Sequence, residues 1–250
     1  MVVGDDGAAL VVDPALTASE VAGLSAAVAR RGWRPRAVWS THAHWDHVLD
    51  GPGLRGLPRW RGGPARTVDT GWRSRTEAER DADPELARHL STHEDAAPDV
   101  VLEAPLPYPR AADGRVDWSG PTLVVVEHTA HAPDHGGLVV VDARVLVCGD
   151  MLSDREVPLL DTDAPDPLGR YAAGLDALER AAVEHDVDVV VPGHGTPGDG
   201  DELRRRLDAD RAYLDGLRTG AAAADPRLAD PQVAAVHDAQ VASLHHHEEP

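Results

Sequence analysis

The sequence predicts an α/β protein, and two observations indicate this class. Short valine-rich runs typical of buried strands recur along the chain, for example at 123–126 and 187–191. Between such runs lie segments with apolar residues three or four positions apart, as at 168–185, which is typical of helices that bury one face. The chain has 250 residues, which is long enough for one sizeable domain with its own core.

The first elements are predicted from short-range patterns. Residues 2–3 and 8–12 are apolar and flank a Gly-Asp-Asp-Gly turn, which predicts a hairpin. Thr17 has the position of a helix cap, with a glutamate three residues later, and predicts a helix over 17–31. The segment 35–40 then predicts a strand.

The remaining elements alternate between strands and helices. We predict an irregular stretch at 51–71, a helix at 75–92 and short strands over 100–126. Buried strands are predicted at 123–126, 137–141 and 145–148, followed by a helix at 168–185 and a strand at 187–191. The last elements are a helix carrying Leu203, Leu207, Leu214 and Leu217, a linker at 219–230 and a helix at 231–244. A single domain is predicted over 1–218. The linker and C-terminal helix, 219–250, are expected to pack on it.

Composition restricts the partners and the compartment. The formal net charge is −19, which disfavours nucleic acid and anionic membrane as partners. There is no apolar run of about 20 residues and no secretory pattern at the N-terminus, so we expect a cytoplasmic protein. The single cysteine, Cys148, lies in an apolar strand and is expected to be an inert packed thiol. The chain has no Lys and no Asn, so arginine, hydroxyl, imidazole and backbone N–H groups must bind any anion.

The most informative segment is the His-x-His-x-Asp-His pattern at 42–47. His42, His44, Asp46 and His47 place four metal-capable side chains within six positions, directly after a predicted strand. A regular helix would scatter these side chains and a strand would alternate them. A tight loop lets them converge, so the pattern predicts a metal site.

This segment resembles the signature of the metallo-β-lactamase superfamily, and further motifs follow in that family's order. Asp13 in Val-Val-Asp-Pro matches an early structural aspartate, His131 in Thr-Ala-His-Ala-Pro a third histidine, Asp150 in Val-Cys-Gly-Asp a bridging aspartate, and His194 in Pro-Gly-His-Gly a final histidine. The resemblance covers roughly residues 1–218. It implies a four-layer αββα sandwich. At least one further strand usually precedes this hairpin in the family, so the N-terminal strand is expected to be shortened.

The resemblance also implies a ligand set for two ions. It assigns His42, His44 and His131 to one ion and Asp46, His47 and His194 to the other, with Asp150 as the bridge. Imidazole and carboxylate suit Zn²⁺, and Fe or Mn are possible alternatives. Two zinc ions per chain are expected. Asp13 is expected to orient the loop rather than bind metal.

The function that this ligand set implies is hydrolysis of a small molecule. A bridging hydroxide would attack an ester, thioester or lactone, with Asp46 and Asp150 as the catalytic carboxylates. The alternative is a mononuclear iron enzyme similar to the persulfide dioxygenases. A β-lactamase is less favoured because relatives of that kind use Lys or Asn near the metals. A nuclease or a non-catalytic metal-binding scaffold is also less favoured.

Several other side chains are weaker candidates for the site. His128 and His135 flank His131 and could line it, and Tyr171 is a candidate to assist an oxyanion. For each of them an ordinary structural role explains the sequence as well. The sequence carries no motif for a particular substrate, and it is compatible with either a monomer or a homodimer.

Overall fold

The structure is a computed structural model, and it describes residues 1–14, 18–48, 52–54, 56–62 and 106–246. The chain forms two compact units, Met1–Val125 and Val126–Pro250. Two mixed five-stranded sheets and several helices make up the described residues, so the predicted α/β class is confirmed. None of the helices in these ranges is both long and apolar enough to cross a membrane.

The sheet of the first unit has the order β1 (Val2–Val3), β2 (Ala8–Val12), β3 (Arg34–Ser40), β4 (Arg59–Arg61) and β5 (Leu106–Pro107). Strands β1 and β2 pair antiparallel, as the hairpin pattern predicts, and β2 to β5 run parallel. The carboxyl ends of parallel strands meet at one edge of a sheet. Asp13 follows β2 and Thr41 follows β3, so both lie at that edge.

One face of this sheet is buried by a helix. Helix α1 (Ala18–Arg31) ends directly before Gly32, whose φ of 66° is the left-handed value that commonly terminates a helix. Leu24 of α1 packs against buried Val11 and Val38. The predicted cap, Thr17, lies outside the described residues.

The predicted tight loop after β3 is in part a helical turn. His42 and His44 precede it, and Asp46 and His47 lie on the one-turn helix α2 (Trp45–Val48). The amide of His47 donates to the carbonyl of His44 at 3.0 Å, which closes this turn. A single turn still lets neighbouring side chains converge, which a longer helix would prevent.

Much of the chain between β3 and β5 lies outside the described residues. Residues 52–54 form a 3-10 turn and 59–61 form β4, which is more regular than the irregular stretch predicted over 51–71. The predicted helix at 75–92 lies outside the described residues.

The second sheet has the order β10 (Gly198–Asp199), β9 (Val189–Val191), β8 (Val145–Val147), β7 (Gly136–Val140) and β6 (Leu123–Glu127). All five residues of β7 are buried, as their continuous apolar pattern predicts. Strands β8 and β9 pair parallel, with Val147 opposite Val191. The loops that follow these two strands therefore leave the sheet side by side.

Three helices belong to the second unit, α3 (Pro167–Glu184), α4 (Gly200–Thr219) and α5 (Pro231–His246). Their positions agree with the predicted helices to within a few residues. Side chains cap α3 and α4, since Asp166 accepts from the amide of Gly169 and Asp199 from that of Glu202.

The predicted linker at 219–230 contains two 3-10 turns, Ala222–Ala224 and Pro226–Ala229. It is fixed to the second unit by apolar packing. Buried Ala222 forms a cluster with Val157 and Tyr213, against which Leu228 and Val233 pack. The domain boundary at residue 218 stays a prediction.

Candidate metal centre

The first ligand group, His42, His44, Asp46 and His47, lies in the first unit where β3 ends. His42 and His47 are buried, at 0% and 2% exposure. Nε2 of His42 lies 3.0 Å from Nδ1 of His44, and Nε2 of His47 lies 3.5 Å from an Asp46 carboxylate oxygen. The His42 and His47 ring centroids are 4.0 Å apart. The four side chains thus converge as the motif predicts.

Asp13 organises this group through one carboxylate. It accepts from the amide and the hydroxyl of Thr41, both at 2.8 Å, and lies 2.9 Å from Nδ1 of His47. The Thr41 hydroxyl oxygen is in turn 3.1 Å from Nδ1 of His42. Asp13 has a φ of 41°, a left-handed conformation that Asp tolerates better than most residues.

This network favours one tautomer for both buried histidines. The Thr41 hydroxyl donates its only proton to Asp13, so it can only accept from Nδ1–H of His42. The Asp13 carboxylate can likewise only accept from Nδ1–H of His47. With Nδ1 protonated, Nε2 of each ring carries the lone pair, which is the state in which imidazole binds a metal.

The second ligand group, His131, Asp150 and His194, lies in the second unit. Nε2 of His131 and Nε2 of His194 are 3.5 and 3.4 Å from the same oxygen of Asp150. Asp150 and His194 each lie three residues beyond the paired residues Val147 and Val191, so the parallel pairing of β8 and β9 brings them together. The amide of Gly193 donates to the carbonyl of Gly149 at 2.7 Å and joins the two loops.

The orientation of His131 is fixed by the backbone. Nδ1 of His131 lies 2.8 Å from the carbonyl oxygen of Leu159, so Nδ1 is the protonated nitrogen and Nε2 faces Asp150. The next residue, Leu160, donates its amide to the side chain of Gln240 at 2.7 Å. Helix α5 therefore holds the segment that orients this histidine.

Sequence reasoning missed a buried ion pair beneath the Asp150 loop. Arg227 lies 2.7 Å from the carboxylate of Asp210, and it donates to the carbonyls of Ser153 and Glu156 at 3.2 and 2.9 Å. Burial raises the pKa of Asp210 to about 6, although Arg227 acts in the opposite direction. Neither residue belongs to a motif, and the segment around Arg227 had only the composition of a linker.

The weaker candidates, His128, His135 and Tyr171, are buried side chains. Nε2 of His135 lies 3.1 Å from the carbonyl of Cys148, and burial lowers the pKa of His128 to about 3, so His128 is neutral at pH 7. Burial raises the pKa of the Cys148 thiol, which fits the expected inert thiol. Tyr171 is 1% exposed, and burial raises the pKa of its hydroxyl well above 10.

The donor sets fit metal ions. Each ligand group combines imidazole nitrogens with a carboxylate, which is the chemistry that Zn²⁺, Fe and Mn accept. Protein hydrogen bonds favour the tautomers of His42, His47 and His131 in which Nε2 carries the lone pair that coordination requires. All seven predicted ligand positions lie among the described residues, four in the first unit and three in the second. The described residues therefore contain a candidate metal site.

Comparison with known proteins shows similarity to the metallo-beta-lactamase superfamily in both sequence and structure. The sequence pattern of the metallo-beta-lactamase superfamily matches residues 1–194. A metallo-beta-lactamase family protein from Thermus thermophilus has a similar structure, with a TM-score of 0.60 and 22% identity over 87% of this chain and 74% of that one.

Two further solved structures show the same likeness. A metallo-beta-lactamase from Erythrobacter litoralis has a TM-score of 0.52 and 18% identity, over 82% of this chain and 81% of that one. A beta-lactamase domain protein from Burkholderia ambifaria has a TM-score of 0.54 and 23% identity, over 84% of this chain and 64% of that one. At these identities the likeness shows the fold alone, and the predicted metallo-β-lactamase fold is confirmed. Since the family's sequence pattern covers residues 1–194 of this chain, the protein belongs to the metallo-beta-lactamase superfamily.

Proposed function

We propose that this protein is a dinuclear zinc hydrolase that opens an ester, thioester or lactone of a small molecule. One observation carries the proposal. All seven ligand positions hold metal-binding residues, and three of the imidazoles are oriented for coordination by the hydrogen bonds that they donate to Asp13, Thr41 and Leu159. The chain thus has both the metal-binding side chains and the groups that orient them, which is what a working metal site requires.

The proposed site combines the two ligand groups. His42, His44 and His131 would hold one ion, and Asp46, His47 and His194 the other, with Asp150 shared between them. Support comes from the family pattern, which spans both groups within residues 1–194. It also comes from the contacts within each group, since Asp150 lies equally close to His131 and His194.

The chemistry of the proposed site divides between ions and side chains. When bound, two ions supply a water acidic enough to ionise near pH 7 and a Lewis acid for the carbonyl oxygen. Asp46 is the carboxylate proposed to hold the proton of the attacking water and return it to the departing oxygen or sulfur. Its position beside Nε2 of His47 keeps it at the ligand group.

The proposed substrate class follows from charge and composition. A net charge of −19 disfavours binding of nucleic acid, so we do not propose nuclease activity. The proposed substrate is a small molecule. We also do not propose β-lactam hydrolysis, although several structurally similar proteins are named as β-lactamases. The chain has no Lys or Asn with which to hold a β-lactam carboxylate as such enzymes do.

Metal content tests the proposal most directly. We would measure metals by inductively coupled plasma mass spectrometry on untagged wild-type protein, Asp150→Ala and Asp208→Ala. Asp208 is an exposed aspartate of α4 that belongs to neither ligand group, and it serves as the matched control. The expected result is about two zinc per chain for wild type and control, and a lower content in Asp150→Ala.

Activity completes this test. The zinc-loaded wild type should hydrolyse members of a panel of thioesters, esters and lactones, and Asp150→Ala should lose at least about 100-fold in kcat/KM. One iron per chain would overturn the proposal and point to oxygen chemistry. Failure to bind metal even after incubation with zinc would leave a non-catalytic scaffold.

A further inference from the structure

A single buried arginine joins the two loops that carry Asp150 and His194. Arg206 lies on the second turn of α4 and is 4% exposed. Its Nη1 donates to the carbonyl of Leu152 at 3.1 Å, and its Nη2 donates to the carbonyl of Thr196 at 2.9 Å. Each acceptor lies two residues beyond a proposed ligand. One planar guanidinium therefore bridges the two loops that carry proposed ligands.

The charge of Arg206 is balanced locally, so the buried guanidinium is stable in this position. Its Nε donates to Glu202 at 3.0 Å, one helical turn away, and Asp154 lies 3.8 Å from Nη2. Burial of a charged group without such partners would strongly destabilise the fold. The arginine is thus held in one orientation from the helix side and directs both Nη groups at the loops.

A second contact joins the same two loops. Asp154 accepts from the amide of Thr196 at 2.7 Å and from its hydroxyl at 2.6 Å. A Cβ added to Gly195, which has a φ of 119°, would lie 2.2 Å from an Asp154 oxygen. The loops therefore interlock directly beside His194.

The backbone of the Asp150 loop needs this support. Leu152 has a φ of 60°, a left-handed conformation that is strained for a non-glycine residue. Such a conformation persists when surrounding contacts over-determine it. The bond from Arg206 to the Leu152 carbonyl is one such contact, and it acts two residues from Asp150.

We propose that Arg206 is a positioning residue that sets the affinity of the ion held by Asp46, His47 and His194. The inference rests on the proposed roles of Asp150 and His194. That ion depends on two ligands whose loops Arg206 joins. The ion held by His42, His44 and His131 depends on these loops only through Asp150, so its affinity should respond less.

The test compares Arg206→Met with Arg204→Met in the metal-free full chain. Methionine keeps much of the side-chain length but removes every donor. Arg204 is exposed on the same helix and pairs with Asp201 one turn earlier, so it is the matched control. Zinc is titrated against a chromophoric chelator to obtain two stepwise dissociation constants. The melting temperature of each metal-free protein is measured alongside.

The expected result is a selective loss. In Arg206→Met one of the two zinc-binding steps should lose about 10- to 100-fold in affinity, while the other changes by less than about 3-fold. Arg204→Met should match wild type in both. Equal losses in both steps, or none in a folded variant, would overturn the inference. If wild type itself binds a single zinc, the proposed function fails first and the inference fails with it.

Two further variants keep the test decisive if Arg206→Met does not fold. Arg206→Lys retains the charge but cannot reach both carbonyls and Glu202 with one rigid fork, so it should show an intermediate selective loss. Thr196→Val removes the hydroxyl bond to Asp154 and keeps the side-chain shape. It should weaken the same step. Wild-type affinities in both variants would contradict the proposed positioning role.

Discussion

The carboxylate of Asp13 lies 2.9 Å from Nδ1 of His47 and accepts two hydrogen bonds from Thr41. Three donors from the loop after β3 therefore converge on the residue that follows β2. The two strands pair in parallel, so their ends are adjacent, and the contact follows from the sheet itself. Through this contact Asp13 orients the ring of His47, a proposed metal ligand.

Replacing Asp13 by Asn should weaken metal binding without disturbing the backbone. Asn tolerates the left-handed conformation at this position, but its amide has one acceptor oxygen where the carboxylate has two. We expect a loss of about 10- to 100-fold in zinc affinity, measured by chelator competition.

Asp5→Asn is the control for this change, since Asp5 is exposed in the turn of the first hairpin. Its zinc affinity should equal that of wild type. An Asp13→Asn protein with unchanged zinc affinity would show that the orientation of His47 does not depend on this carboxylate.

Replacing Gln240 by Ala should destabilise the second unit. The buried amide of Gln240 accepts from the amide of Leu160 at 2.7 Å and donates to the carbonyl of Pro158 and the hydroxyl of Tyr213 at 3.0 and 3.1 Å. Removing it leaves buried backbone groups unsatisfied, at a cost of about 2–4 kcal/mol. Urea unfolding of the metal-free protein would measure this loss.

Gln232→Ala, at an exposed position of the same helix, should change the free energy of unfolding by less than about 0.5 kcal/mol. Leu159, whose carbonyl orients His131, adjoins the segment that Gln240 holds. Gln240→Ala should therefore also bind zinc more weakly. Equal stability of the two variants would mean that water satisfies the groups that Gln240 leaves.

The pH dependence of the free energy of unfolding should report the raised pKa of Asp210. Burial raises its pKa to about 6, above the value of about 3.9 for an unfolded chain. Between these values the folded state binds more protons than the unfolded state. Protonated Asp210 therefore contributes stability that is present below about pH 4 and is lost as the pH rises through about 6.

Asp210→Asn lacks this titration, so the comparison isolates it. The free energy of unfolding of the metal-free wild type, relative to Asp210→Asn, should fall by about 2–3 kcal/mol between pH 4 and pH 7. Urea titrations at each pH would measure it, with Asp208→Asn as the exposed control. Parallel pH curves for wild type and Asp210→Asn would show that the buried Arg227 holds the pKa of Asp210 near its ordinary value.

The sequence by itself determined the fold class, the family and the positions of the candidate ligands. The His-x-His-x-Asp-His segment identifies four side chains because their spacing is local, and a local pattern can be read without coordinates. His131, Asp150 and His194 are isolated residues, and only the order of the family's motifs indicates them. Strands such as β7 were predictable because complete burial requires a continuous apolar run.

The tertiary structure alone decided what holds these ligands in place. Arg206, Arg227 and Gln240 contact backbone carbonyls and amides of loops that lie far from them in the chain. A backbone group looks the same in every residue, so no sequence pattern marks it as the partner of a buried arginine. The tautomers of His42 and His131 likewise depend on which oxygen lies beside Nδ1, and chain folding fixes that contact.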